Sequence, residues 1–182
     1  MNSMHQHKRV SRIRSVLCLV AGLFYAAGFG LAGPAHAQIV ALGASNVAGK
    51  GVSSSEAFPA QLERMLAGKG YNVHIANAGV NGNTNADMLA RLDQAVPAGT
   101  RIVLLGTVGG RYNARRLGQG DQNAEFASIM ARLRGRGIKI IPVGAAGLSR
   151  KHLLPDGVHL TAEGHAVVAA RLLPSVIRAL GH

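Results

Sequence analysis

Short apolar runs that alternate with helically spaced segments constrain this chain more than any other feature. Ile39-Val40-Ala41-Leu42 is apolar without a break, as a strand buried on both faces should be. Phe58, Leu62, Met65 and Leu66 then recur at helical spacing, and Gly68 and Gly70 end that helix. Asn72 to Ala76 reads as a second strand, Asn85 to Leu92 as a short helix, and Arg101 to Leu105 as a third strand. Phe126, Ile129, Met130 and Leu133 mark the buried face of another helix, which stops at Gly135 and Gly137 before a fourth strand, Ile138 to Val143. Thr161 is placed to N-cap a last helix, with Glu163 in its positive first turn. Val168, Leu172, Val176 and Leu180 line the inner face of that helix, and Pro174 is expected to kink or divide it. Regular strand–helix alternation implies a parallel sheet with right-handed crossovers and helices on both sides. The expected class is α/β, a three-layer α/β/α sandwich around a short sheet of about four strands.

The first 37 residues stand apart from this pattern. Lys8, Arg9, Arg12 and Arg14 form a positive n-region, Val16 to Leu31 is apolar and rich in Gly and Ala, and Ala35-His36-Ala37 matches a small-x-small cleavage site. The apolar run is short for a spanning helix and is interrupted by glycine. Residues 1–37 therefore read as a signal peptide cleaved after Ala37, and residues 38–182 as one exported domain, periplasmic or secreted. Cys18 is the chain's one cysteine and lies in the leader, so the domain would carry no disulfide.

Four of the twenty Lys/Arg and none of the eight acidic residues lie in the leader, leaving residues 38–182 with a formal charge of +8. Such a surface favours loose association with anionic envelope polymers or lipid head groups. Nucleic acid is disfavoured as a partner. The basic residues are scattered, apart from Arg115-Arg116 and Arg132, Arg134 and Arg136, and seven Tyr and Phe in the whole chain make no stacking platform. Nothing in the sequence specifies an oligomeric state.

A parallel sheet displays its functional loops at one edge, beyond the C-terminal ends of its strands. Gly43-Ala44-Ser45-Asn46 follows the first strand, Asn77-Ala78-Gly79-Val80-Asn81-Gly82-Asn83-Thr84 the second, and Gly109-Gly110-Arg111-Tyr112-Asn113 the third. Asp156-Gly157-Val158-His159 precedes the last helix. Ser, Asp and His in that chain order are the parts of a hydrolytic triad on an α/β sheet. Ser45 would attack a carbonyl once a base takes its proton, His159 is the candidate base, and Asp156 would orient the imidazole and stabilise its cation. Plainer roles exist: Ser45 can serve a turn, Asp156-Gly157 is an ordinary turn pair, and Asn113 can serve a loop. His74 suits strand packing and His165 a helix face. His152 with Asp156 and His159 is a poor metal set on an irregular loop. The Gly79 to Thr84 loop lacks the Gly-Lys-Ser/Thr ending of a phosphate-binding loop. The chemistry calls for no cofactor and no metal.

These four motifs resemble those of the SGNH hydrolase superfamily, the GDSL-type esterases and lipases, and most of all its small bacterial lysophospholipase- and thioesterase-like esterases. The resemblance spans nearly all of residues 38–182. It implies a flavodoxin-like SGNH hydrolase fold and an oxyanion hole from the backbone N–H groups of Ser45 and Gly79 and the side-chain amide of Asn113. Arg111 and Tyr112 are candidate substrate contacts at the mouth, beside Arg115 and Arg116. Three departures from the family pattern stand out. Ala44 and Asn46 replace the usual aspartate and leucine around the nucleophile. An extra residue precedes Asn113, so its oxyanion role depends on the loop bulging to absorb it. Thirteen residues between Pro142 and Asp156 are too few for the usual extra helix and fifth strand.

The implied function is a serine esterase acting through an acyl-serine on short acyl, acetyl-sugar or lysophospholipid esters, small or envelope-associated. The alternative is a hydrolase-derived binding protein that has lost its chemistry through the altered third motif.

Overall fold

The computed structural model describes residues 38–144 and 147–181, so the leader and the cleavage site read from the sequence lie outside the described residues. Four parallel strands form one sheet in the order β2-β1-β3-β4: β1 (Ile39–Gly43), β2 (Ile75–Gly79), β3 (Ile102–Gly106) and β4 (Lys139–Pro142). The seven helices among the described residues are α1 (Ser45–Ala48), α2 (Phe58–Ala67), α3 (Asn85–Ala90), α4 (Leu92–Ala95), α5 (Val108–Arg116), α6 (Asn123–Gly135) and α7 (Ala162–Leu180).

The pleat sorts the core into two. Ile39 and Ala41 of β1 and Ile102 and Leu104 of β3 face Phe58, Leu62 and Leu66 of α2 and Val168, Leu172 and Val176 of α7. Their neighbours Val40, Leu42, Val103 and Leu105 face Met88 of α3, Leu92 of α4 and Ile129 and Leu133 of α6. Every residue of β1 and β3 is buried, which is why both read as unbroken apolar runs. The result is the expected three-layer α/β/α sandwich with four strands.

Several boundaries differ from the sequence reading. β2 starts at Ile75, three residues late, because its register pairs Ile39 with Ile75 and Gly43 with Gly79. Asn77-Ala78-Gly79 is therefore strand and not loop. The Ile75 N–H is held by the Glu63 carboxylate at 2.7 Å, and His74, expected in strand packing, is exposed and sits 3.1 Å from Glu63. The helix expected over Asn85 to Leu92 is two short ones, the first started by a capping box between Thr84 and Asp87. Thr161 caps α7 by accepting the Gly164 N–H at 3.1 Å, as expected. Pro174 does not divide α7, whose buried Val168, Leu172 and Val176 lie on both sides of it; packing along that face outweighs the single backbone hydrogen bond proline cannot make. In place of a fifth strand, a 3₁₀ turn at Arg150–His152 and an antiparallel bridge from Leu153 to Leu160 carry the chain to α7.

The strands end together at the edge that holds the functional loops: Gly43 is level with Gly79 on one side and with Gly106 on the other. A Cβ on Gly79 would lie 2.2 Å from the Ala48 nitrogen. The missing side chain lets the backbone of α1 sit directly on β2 and sets where Ser45 begins.

Candidate active site

Ser45 opens α1 two residues beyond β1. The N-cap position belongs to Ala44, which has no side chain to cap with, so Ser45 is not a capping serine. Its hydroxyl instead meets His159, with Oγ and Nε2 3.0 Å apart. Across the ring, Nδ1 lies 2.5 Å from Asp156 Oδ2. The other carboxylate oxygen accepts the main-chain N–H groups of Val158 at 2.9 Å and His159 at 3.0 Å. One aspartate thus fixes both the backbone and the ring of one histidine. The hydrogen bond from the His159 ring, then those from the His159 and Val158 backbone, hold the Asp156 carboxyl well below the usual carboxylate range. An anionic Asp156 accepts from Nδ1–H, which leaves the Nε2 lone pair facing Ser45. The structure therefore brings Ser45, Asp156 and His159 together.

Ser45 and His159 line a cavity of about 620 Å³ at this edge. Its floor includes Val47, Phe58, Leu160 and Val168, all part of the core between the sheet and the α2–α7 layer. Exposed Lys50, Tyr112 and Arg116 stand at its mouth.

The three residues expected from the sequence as oxyanion donors are placed differently from one another. The Ser45 N–H starts a helix and has no acceptor among the described residues. Gly79, expected to supply the second donor, does not line the cavity: it is the last residue of β2, packed on α1, and its N–H donates to Asn77 Oδ1 at 3.0 Å. Gly82 lines the cavity instead, with φ of +80° and an N–H that has no acceptor among the described residues. The sequence reading placed the whole segment after Ala76 in a loop, when three more residues belong to the ladder.

Asn113 does line the cavity, though by another route than a bulged loop. Residues 108–116 are helical, which sets Gly109, Tyr112, Asn113 and Arg116 on one face. The Asn113 amide donates one hydrogen to the Asn83 carbonyl at 2.9 Å, and the second has no acceptor among the described residues. The same helical geometry turns Arg111 and Arg115 away. Tyr112 lines the cavity, but Arg111 does not, and Arg115 pairs with Asp121.

Sequence reasoning missed two further residues. Arg91 donates to Asn83 Oδ1 at 2.7 Å and to the carbonyls of Ala78 at 2.9 Å and Gly43 at 3.2 Å. It ties the ends of β1 and β2 to the loop that carries Gly82 and Asn83. Burial lowers its pKa from the ordinary guanidinium value, with Asp87 opposing. An arginine at the end of a short helix carries no signal of this in sequence. Asn46 bonds the histidine loop on both sides of His159; its departure from the family leucine was the available clue. His152 bonds the Ser149 N–H at 3.1 Å and His165 is fully buried; neither belongs to the triad.

In fold, in the order of Ser45, Asp156 and His159, and in the cavity they line, the chain resembles the SGNH-type hydrolases, the superfamily that includes the GDSL esterases and lipases. The chain is 27% identical to Esterase TesA of Pseudomonas aeruginosa over 106 residues, 58% of this chain and 53% of that protein. It thus spans about half the length of the curated relative it matches. A crystal structure of TesA superposes with a TM-score of 0.68 at 19% identity, covering 78% of this chain and 98% of the other. The psychrotrophic esterase EstA from Pseudoalteromonas sp., solved inhibited by monoethylphosphonate, gives 0.67 at 13% identity over 79% of this chain and 98% of that one. A lipase/acylhydrolase from Enterococcus faecalis gives 0.53 at 17% identity, over 76% and 94% of the two chains. No protein-family model matches the chain.

Proposed function

We propose that this protein is a serine esterase that cleaves carboxylic esters through an acyl-serine intermediate. The observation that carries the reading is the relay from Ser45 Oγ through His159 to Asp156 at the wall of a cavity with an apolar floor. His159 Nε2 takes the Ser45 proton as Oγ attacks the ester carbonyl, and Asp156 stabilises the imidazolium. The negative charge on the carbonyl oxygen is met by the N–H groups of Ser45 and Gly82 and the Asn113 amide. Collapse breaks the bond to the alcohol, which leaves with the proton from His159. Water, deprotonated by the same Nε2, then attacks the acyl-serine, and Ser45 Oγ leaves with that proton. A binding protein derived from a hydrolase would have no use for this alignment, so the enzyme is the reading kept.

The substrate classes that fit are short acyl, acetyl-sugar and lysophospholipid esters. The basic n-region, apolar run and small-x-small site of residues 1–37 support export to the periplasm or beyond. The test is hydrolysis of p-nitrophenyl acetate, butyrate and octanoate beside Ser45→Ala, with phosphonate labelling of the protein. Turnover and labelling that both vanish in Ser45→Ala support the esterase. A folded wild-type protein that neither turns over nor labels refutes it.

A further inference from the structure

The cavity is lined by two cations that have no carboxylate partner among the described residues. Lys50, just after α1, and Arg116, the last residue of α5, both line it. Neither side chain meets a carboxylate among the described residues. Other cations are committed: Arg115 to Asp121, Lys151 to Glu163, Arg132 to Asp93, and Arg91 to carbonyls. Arg116 lies 6.0 Å from the centre of the Tyr112 ring, a platform that holds the guanidinium without cancelling its charge. Asp156 is the one acidic residue in the lining among the described residues, and both its oxygens are taken by His159 and Val158. A cavity with an apolar floor and an unpaired cationic mouth suits an acyl chain below and an anion above.

We propose that Lys50 and Arg116 select esters whose alcohol portion carries a carboxylate or phosphate. This rests on the esterase reading and deepens it. The test compares two butyrate esters with leaving groups of similar acidity, one of 3-hydroxybenzoate and one of 3-hydroxybenzamide. The purified protein should show kcat/KM roughly tenfold or more higher for the anionic ester at low salt, and the ratio should shrink as salt is added. In the Lys50→Gln/Arg116→Gln double variant the ratio should fall toward one. Arg134→Gln, which removes an exposed cation on α6, should keep the wild-type ratio and so exclude net charge as the cause. Equal efficiency on both esters, or a ratio unchanged in the double variant, overturns the selectivity while leaving the esterase standing. A wild type that hydrolyses neither ester and takes no phosphonate removes both.

A separate set of hydrogen bonds points to a positioning role for the residue beside the nucleophile. Asn46 Nδ2 donates to the Val158 carbonyl at 3.0 Å, and Asn46 Oδ1 accepts the Leu160 N–H at 3.1 Å. The two bonds bracket His159, which is 114 residues from Ser45 in sequence. Asp156 restrains the same loop from within. The geometry points to Asn46 as the link that fixes the base at hydrogen-bond distance from the nucleophile, a task the leucine usual at this position has no polar atoms to perform. Its amide does so by pairing with the loop as a strand neighbour would.

Asn46→Leu removes both bonds, and the isosteric Asn46→Asp keeps an acceptor for Leu160 but faces the Val158 carbonyl with an oxygen. Both should lower kcat by roughly 10- to 100-fold with KM nearly unchanged, and slow phosphonate labelling of Ser45 in parallel. A residue that only stabilised the fold would lower Tm and leave the folded fraction at full kcat. Wild-type kcat and labelling in folded Asn46→Leu or Asn46→Asp would overturn the role without touching the esterase reading.

Discussion

Asp156 spends one oxygen on the ring of His159 and the other on backbone. Asn at that position preserves the shape but offers the ring an amide, which favours the wrong imidazole tautomer. Asp156→Asn should therefore leave Tm within a few degrees of wild type and reduce kcat by roughly 10³- to 10⁴-fold; steady-state kinetics on p-nitrophenyl butyrate reads the difference. The two glycines after Ala78 separate structure from chemistry in the same way. A Cβ on Gly79 meets backbone atoms of Val47 and Ala48, all within 2.7 Å, and those atoms belong to the helix that starts at the nucleophile. Gly79→Ala should cost about 3 kcal/mol or more. A Cβ on Gly82 has open space around it, so Gly82→Ala bears only the strain of a positive φ, about 1–2 kcal/mol. Urea unfolding of the two variants should rank them in that order; the reverse order would refute the packing account.

At the scale of elements, α2 and α7 are joined by a buried histidine. His165 Nδ1 accepts the Phe58 N–H at 3.2 Å, the two rings stack with centroids 6.3 Å apart, and Nε2 has no hydrogen-bond partner among the described residues. Burial pushes its pKa down to about 4, with the Glu56 carboxylate opposing. The folded value lies below the unfolded one, so the unfolded chain binds the proton first as pH falls. Stability from this residue is complete above pH 6.5 and is lost between 6.5 and about 4. Tm should drop across that window, and His165→Gln, which can still accept from Phe58 without titrating, should flatten the slope. A slope identical in the two proteins would show that other groups set it. The elements legible in sequence were those with a burial pattern of their own. β1, β3, α2, α6 and α7 announced themselves through apolar runs or helical spacing. The strand β2, half-exposed and reading Ile-Ala-Asn-Ala-Gly, was read with its bounds three residues early, and the helix α5, with two glycines and three arginines, was read as loop. What defines them is non-local: β2 is a strand because β1 pairs with it, and α5 is a helix that buries Gly110 against Asn85. Ser45, Asp156 and His159, side chains of fixed chemistry in a telling order, were legible as a set, whereas Gly82 and Asn46 were not. Their parts come from backbone position and from a loop more than a hundred residues away.

At the scale of the molecule, charge and cavity bear on the same question of where an ester would be met. Residues 38–182 carry +8, and part of that charge is internally committed, as in Arg132 and Arg136 beside Asp93. The remainder includes Lys50 and Arg116 at the cavity mouth, where exposed Tyr112 and Val108 also stand. Cations beside exposed apolar side chains form a surface that an anionic interface attracts from a distance and apolar contact then holds. Among the described residues no helix is long and apolar enough to cross a membrane, and attraction through this charged surface would weaken with salt. The protein should therefore co-sediment with phosphatidylglycerol vesicles at about 20 mM salt and be released at about 300 mM, where the screening length falls below about 6 Å. Phosphatidylcholine vesicles should retain little at either concentration. The double change at Lys50 and Arg116 should weaken sedimentation more than Arg134→Gln does if the mouth itself faces the interface. Equal losses would mean that the charge acts as a diffuse field, with the cavity turned to solvent.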